Sequence, residues 1–122
     1  MIDLAIAPEP PNVDLTAWAR AFALTCALEL PIVLLATRAS TTPVARRAPI
    51  VLMAQLLTHP LVWFVFPRWT AHPEAAFALS ELSAWWLEAL LYTLTLARVS
   101  PWLALGVSGV ANAVTLGLGL LM

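Results

Sequence analysis

An all-α, integral-membrane four-helix bundle is the fold class this sequence predicts, and three observations predict it. Hydrophobic residues make up 61% of the 122 positions and charged residues only 11%, a balance foreign to soluble domains of this size. Four apolar runs, residues 21–37, 48–66, 75–96 and 102–122, are each long enough to cross a bilayer core at about 1.5 Å per residue. Each run also carries polar side chains near its midpoint: Glu29, then Gln55, Thr58 and His59, then Glu88, then Asn112. Lipid offers such groups no partner, so they are expected to face the interior of the bundle.

Residues 1–20 precede the first run. Acids and prolines (Asp3, Pro8, Glu9, Pro10, Pro11, Asp14) with no basic start do not resemble a cleavable signal, and the prolines favour an extended Pro-rich segment over a helix. The first run holds Glu29 two residues before Pro31 and contains Cys26, the single cysteine, which reads as a small buried hydrophobe. The second run holds Gln55, Thr58 and His59, with Pro60 next. Mid-helix prolines leave a carbonyl without its usual donor and bend the helix, the commoner outcome being a packing kink and the rarer one a broken-helix binding site. In the third run Glu81, Trp85, Glu88, Tyr92 and Thr95 recur at helical spacing, and in the fourth Ser108, Asn112, Thr115 and Gly119 do the same. Trp18, Trp69 and Trp102 at run ends suit the membrane interface, Trp63 and Trp86 are candidates for lipid-facing or partner-facing anchors, and Pro49, Pro67, Pro73 and Pro101 punctuate the boundaries.

The halves show a candidate 2+2 parallel repeat. Leu28-Glu29 running to Arg38 matches Leu87-Glu88 running to Arg98, and Ala54-Gln55-Leu-Leu-Thr58 matches Ala111-Asn112-Ala-Val-Thr115. An offset of two spans would relate the halves by an axis along the membrane normal. All four glycines lie in the fourth run, where Gly109, Ala113 and Gly117 form a small-residue ridge for close packing within the bundle or against a neighbour.

Orientation follows from the arginines, the only strong cations. Arg38, Arg46, Arg47 and Arg98 fall on one side, and Arg20 and Arg68 on the other with most of the acids, so both termini are expected outside the cytoplasm. No basic cluster supports nucleic-acid binding. His59 with Glu29 and Glu88 could supply mixed metal ligands, but no HExxH or paired-His spacing is present, so neither a metal nor another cofactor is expected. His72 reads as a solvated loop residue. No nucleophile–base pair appears, which disfavours an intramembrane enzyme.

Glu29-Leu-Pro31, Thr58-His59-Pro60, Glu81, Glu88-Ala-Leu-Leu-Tyr92 and Asn112-x-x-Thr115 together resemble the pattern of a group of small bacterial four-helix inner-membrane proteins that have no assigned activity. The likeness spans all four helices and departs at Gln55 and Thr115, where that pattern would have Asn and Ser. It implies a multi-pass location in the bacterial inner membrane.

Two function classes follow, the first preferred and the second its alternative. Small size, short connections and the small-residue ridge favour an accessory or structural subunit of a larger membrane complex, partnered by other membrane subunits or by further copies of itself as well as by lipid. The carboxylate layer favours a small transporter, channel or proton- or cation-conducting component using Glu29 and Glu88, with Gln55, Thr58, His59, Glu81, Tyr92, Asn112 and Thr115 completing the polar core. Neutral Gln, Asn and Thr need only be interhelical glue worth about 0.6 kcal/mol each.

Overall fold

A computed structural model of the chain describes residues 15–121. Among these, the sequence forms four long helices: α1 (Leu15–Ala36), α2 (Val44–Trp69), α3 (Pro73–Thr95) and α4 (Pro101–Leu121). They run up, down, up and down. Neighbours pack in a closed ring, α1 on α2, α2 on α3, α3 on α4 and α4 back on α1. The end where α1 begins and α4 finishes is called the near end, and the end carrying the α1–α2 and α3–α4 connections the far end.

Three helices, α1, α2 and α4, are long and apolar enough to cross a membrane. At 23 residues, α3 matches them in length but carries Glu74, Glu81 and Glu88. The bundle buries a polar layer at mid-height and is apolar outside: Glu29, Gln55, Thr58, Glu88 and Ser108 are buried, whereas Leu35, Met53, Leu57, Phe77, Leu90, Leu94 and Leu120 are exposed. Such an outer surface suits contact with lipid hydrocarbon rather than water.

Helix boundaries depart from the apolar runs in instructive ways. Residues 15–20 belong to α1 rather than to an extended lead-in, and Trp18, half-buried in the first turn, packs against neighbouring rings. Its ring stacks on Phe22 at 5.4 Å and meets Phe64 of α2 at 5.6 Å, and that contact extends the helix. The remainder of the expected Pro-rich segment, residues 1–14, lies outside the described residues. Pro43 caps α2 in extended conformation, its carbonyl accepting from the Arg46 and Arg47 amides, so that helix starts four residues before its apolar run, and Pro49 sits inside the helix rather than at its boundary. Pro67 likewise lies within the last turn of α2. Pro73 and Pro101 do open α3 and α4, where a missing N–H costs nothing.

Pro60 leaves a clear mark on α2. The helix continues, but Leu61–Val65 form a π-helical turn in which the Phe66 amide reaches back to the Leu61 carbonyl. Lacking an N–H, Pro60 cannot close the ordinary turn, and the wider turn absorbs the mismatch. Pro31 lies inside an uninterrupted α1.

The far end is closed by apolar packing and by one arginine. Val33, Val51, Tyr92, Leu96, Val99, Ala104 and Val107 form a continuous buried cluster. Beside it Arg47 is buried; its Nε donates to the Thr42 carbonyl at 2.9 Å, and its Nη1 donates to the Leu34 carbonyl and the Thr37 hydroxyl, each at 2.9 Å. The arginine therefore satisfies the Leu34 carbonyl near the end of α1 and the Thr42 carbonyl of the connection. Ser40 donating to the Ala97 carbonyl, and the Ala97 amide donating to Thr42, tie the two far-end connections together.

Candidate functional site

Midway along the bundle, α2 and α4 each present an amide and a hydroxyl inward, and α1 and α3 each present one carboxyl. Gln55 and Thr58 are one turn apart on α2, as are Asn112 and Thr115 on α4, so each pair lies on a single face. The Gln55 side-chain amide donates to Glu29 Oε2, and Thr115 donates to Glu29 Oε1 at 3.4 Å. Thr58 donates to Glu88 Oε1 at 3.0 Å and Asn112 Nδ2 donates to Glu88 Oε2 at 2.8 Å. Ser108 adds a longer contact to Glu88 Oε2 at 3.4 Å.

This pattern obeys the repeat. Each carboxyl takes the amide of its own half and the threonine of the other half, so exchanging the halves exchanges these four bonds; only the Ser108 contact to Glu88 has no counterpart at Glu29. Both acids are essentially inaccessible, Glu29 at 0% and Glu88 at 1% exposure. Their neutral donors supply the compensation that burial of a polar group demands.

A cavity of about 230 Å³ runs from this layer toward the near end. Glu29, Glu88, Gln55 and Asn112 form its floor, while Val62, Trp63, Glu81, Leu116 and Leu120 line it further out. No arginine or lysine lines it, so its polar lining is carboxyl, amide, hydroxyl and imidazole. Toward the far end the buried apolar cluster closes it.

His59 lies in the wall of the cavity, with its Nε2 3.3 Å from the Thr25 hydroxyl and its Nδ1 without a partner among the described residues. Its ring stacks on Trp63 at 6.2 Å and meets the edge of Phe22 at 5.4 Å. His59 shares the cavity with both acids but makes no hydrogen bond to either. Nor does Tyr92, whose buried hydroxyl has no partner among the described residues and which belongs to the apolar cluster beyond the floor. Thr95 is exposed and bonds its own helix at the Leu91 carbonyl, so the inward stripe of α3 ends before it. Glu81 is half-buried in the cavity wall, and His72 is exposed as expected.

Trp63 is not an outward anchor: it lies one turn from His59 and shares its face, and that spacing was the available signal. Trp86 does point outward, with 57% exposure. Neither the Ser108 contact to Glu88 nor the burial of Arg47 was anticipated. Of the small-residue ridge, Gly109 serves an internal contact, since a Cβ there would stand 3.2 Å from the Trp85 indole nitrogen. That nitrogen donates to the Leu105 carbonyl at 2.8 Å, joining α3 to α4. Ala113 and Gly117 are exposed.

No cluster of three or more His, Cys, Asp or Glu side chains among the described residues has the geometry to hold a metal ion. Compared with family models, with curated proteins and with solved structures, the chain matches none.

Proposed function

We propose that this chain is a small membrane transport component that takes up a proton or small cation at the Glu29–Glu88 pocket. One observation carries the reading: two carboxyls from different helices share a polar cavity whose described lining extends toward the near end, while buried apolar side chains close it toward the far end. Buried acids cost more than packing requires, and in membrane helices they accompany ion and proton pathways. A pocket reachable from one side is one of the two states that alternating access needs. The second state would open the far end, where Arg47 and the Ser40–Ala97–Thr42 bonds hold the connections closed.

The arginine bias orients the pocket with its mouth away from the cytoplasm. With Arg47 drawn into the bundle, that bias rests on Arg38, Arg46 and Arg98 against Arg20 and Arg68. The proposed location is a bacterial inner membrane, as the resemblance in sequence implies.

The accessory-subunit reading retains one specific support. Ala113 and Gly117 remain on the outer surface after Gly109 is used internally, and small exposed residues let a partner helix approach closely.

Proteoliposomes carrying a trapped pH indicator separate the two readings. Under an imposed potential, the transport reading expects proton or cation uptake above empty vesicles, lost in Glu29→Gln and in Glu88→Gln while both variants still fold. Uptake no greater than in empty vesicles, with a stable set of copurifying membrane proteins, would favour the subunit.

A further inference from the structure

The repeat that matches the halves in their polar layer fails to match them on the outside. The alignment that lays Gln55 on Asn112 and Thr58 on Thr115 lays Leu52 on Gly109 and Leu56 on Ala113. In the first half, leucines flank the polar layer, and beyond it Trp18, Phe22, His59 and Phe64 pack their rings together across the α1–α2 seam. At the corresponding α3–α4 seam the small residues leave a groove of about 350 Å³, lined by Phe77, Leu82, Trp85, Gly109, Ala113 and Leu116. Glu81, Asn112 and Leu116 line both this groove and the acid cavity. The groove lies on the outer, apolar surface of the bundle, and its inner edge is the amide that holds Glu88.

We infer that the ligand of the Glu29–Glu88 pocket is an amphipathic amine drawn sideways from the bilayer, its ammonium head at the acids and its apolar body in the α3–α4 groove. This rests on the proposed cation-binding role and names the class of cation. Complementarity selects the head, because the cavity offers the carboxyl groups of Glu29, Glu81 and Glu88 and no lysine or arginine to an incoming ammonium. His59 supplies an independent sign of a ligand. It is 9% exposed, lies in the cavity wall, and its buried Nδ1 has no partner among the described residues. With its Nε2–H given to the Thr25 hydroxyl, Nδ1 is a buried acceptor that an ammonium N–H seated in the cavity would satisfy. The adjacent Trp63 ring adds a face suited to a cation. Apolar lining and direct contact with hydrocarbon select the body, since a wholly water-soluble ion gains nothing from such a groove.

The test uses the full chain in nanodiscs, with binding above that of empty nanodiscs measured for dodecylammonium, ethylammonium and dodecanoate. Dodecylammonium is expected to bind best and dodecanoate not at all, with amine binding lost in the Glu29→Gln/Glu88→Gln double variant. Ala113→Leu, which installs the residue found at the equivalent position of the first half, and the larger Ala113→Trp should lower the dodecylammonium-to-ethylammonium affinity ratio by about tenfold. Both changes sit on the exposed face, and helical content by circular dichroism verifies the fold. An unchanged ratio would overturn the groove assignment while leaving cation binding at the acids intact. Equal binding of dodecanoate, or proton uptake without binding of either amine, would overturn the amine. A photo-crosslinker at residue 113 that captures a protein helix instead of dodecylamine would also overturn it. Loss of all uptake and all binding would sink the transport reading itself.

Discussion

Glu29 and Glu88 are bound by equivalent partners drawn crosswise from the two halves of the chain: Gln55 and Thr115 for the first, Asn112 and Thr58 for the second. Each carboxyl thereby touches both α2 and α4, and the layer links all four helices. The two networks differ in two respects, the first being the additional Ser108 contact to Glu88. Second, Thr58, Asn112 and Ser108 each also have a backbone acceptor within reach, Ala54 O, Ser108 O and Trp85 O respectively, whereas Gln55 has only the two carboxyls, Glu29 and Glu88, and Thr115 bonds Glu29.

That difference predicts unequal effects from equally buried acids. Glu29→Ala turns the Gln55 amide to Glu88 and takes the acceptor from the Thr115 hydroxyl, while Glu88→Ala leaves Thr58, Asn112 and Ser108 with backbone acceptors. Glu29→Ala is therefore expected to be the more destabilising by about 1 kcal/mol, read from unfolding in mixed micelles. Equal losses would mean that Thr115 finds another acceptor.

Arg47 should behave as a structural element rather than a surface charge. Arg47→Ala removes the donors to Leu34, Thr37 and Thr42, with an expected loss of about 2–3 kcal/mol. Arg47→Lys should recover only part, because one ammonium cannot reproduce the fork that reaches three acceptors in fixed directions. Arg46→Ala, at an exposed position, should change stability little. Thermal denaturation in detergent compares the three.

At the α3–α4 contact, Gly109→Val should destabilise by about 1–3 kcal/mol through overpacking, because the added carbons meet the Trp85 indole and disturb its bond to Leu105. Gly117→Ala, with open space around its Cβ, should be neutral or slightly stabilising through helix propensity. Similar losses at both positions would contradict the assignment of the ridge.

Topology can be read chemically once Cys26 is replaced by alanine. Single cysteines at Ala71, in the near-end connection, and at Thr41, in the far-end connection, are both exposed. In intact cells a membrane-impermeant maleimide should label the first and spare the second. The reverse result would invert the bundle and with it the side on which the pocket has its mouth.

Much of this architecture is legible in the sequence because hydrocarbon imposes a severe rule: polar groups at mid-span must find one another. That rule brought Glu29, Gln55, Thr58, Glu88, Asn112 and Thr115 together from spacing alone, and the inward faces of α3 and α4 follow from it. It fails for groups with an alternative. Tyr92 is amphipathic and packs by its ring, Thr95 satisfies itself on its own helix, and His59 settles among aromatic rings beside Thr25. Charge patterning treats every arginine as solvated, so the helix-capping role of Arg47 is invisible to it. Apolar runs also locate hydrocarbon rather than helix ends, which is why α1 and α2 start before their runs do.

The most direct test of the paired-carboxyl layer is a dipolar-recoupling measurement by solid-state NMR in lipid bilayers, between side-chain amide nitrogens and glutamate carboxyl carbons. Close contacts are expected for Gln55 with Glu29 and for Asn112 with Glu88. Carboxyl carbons of Glu29 and Glu88 that show contact only with lipid or water, and none with these amides, would contradict the account at its base.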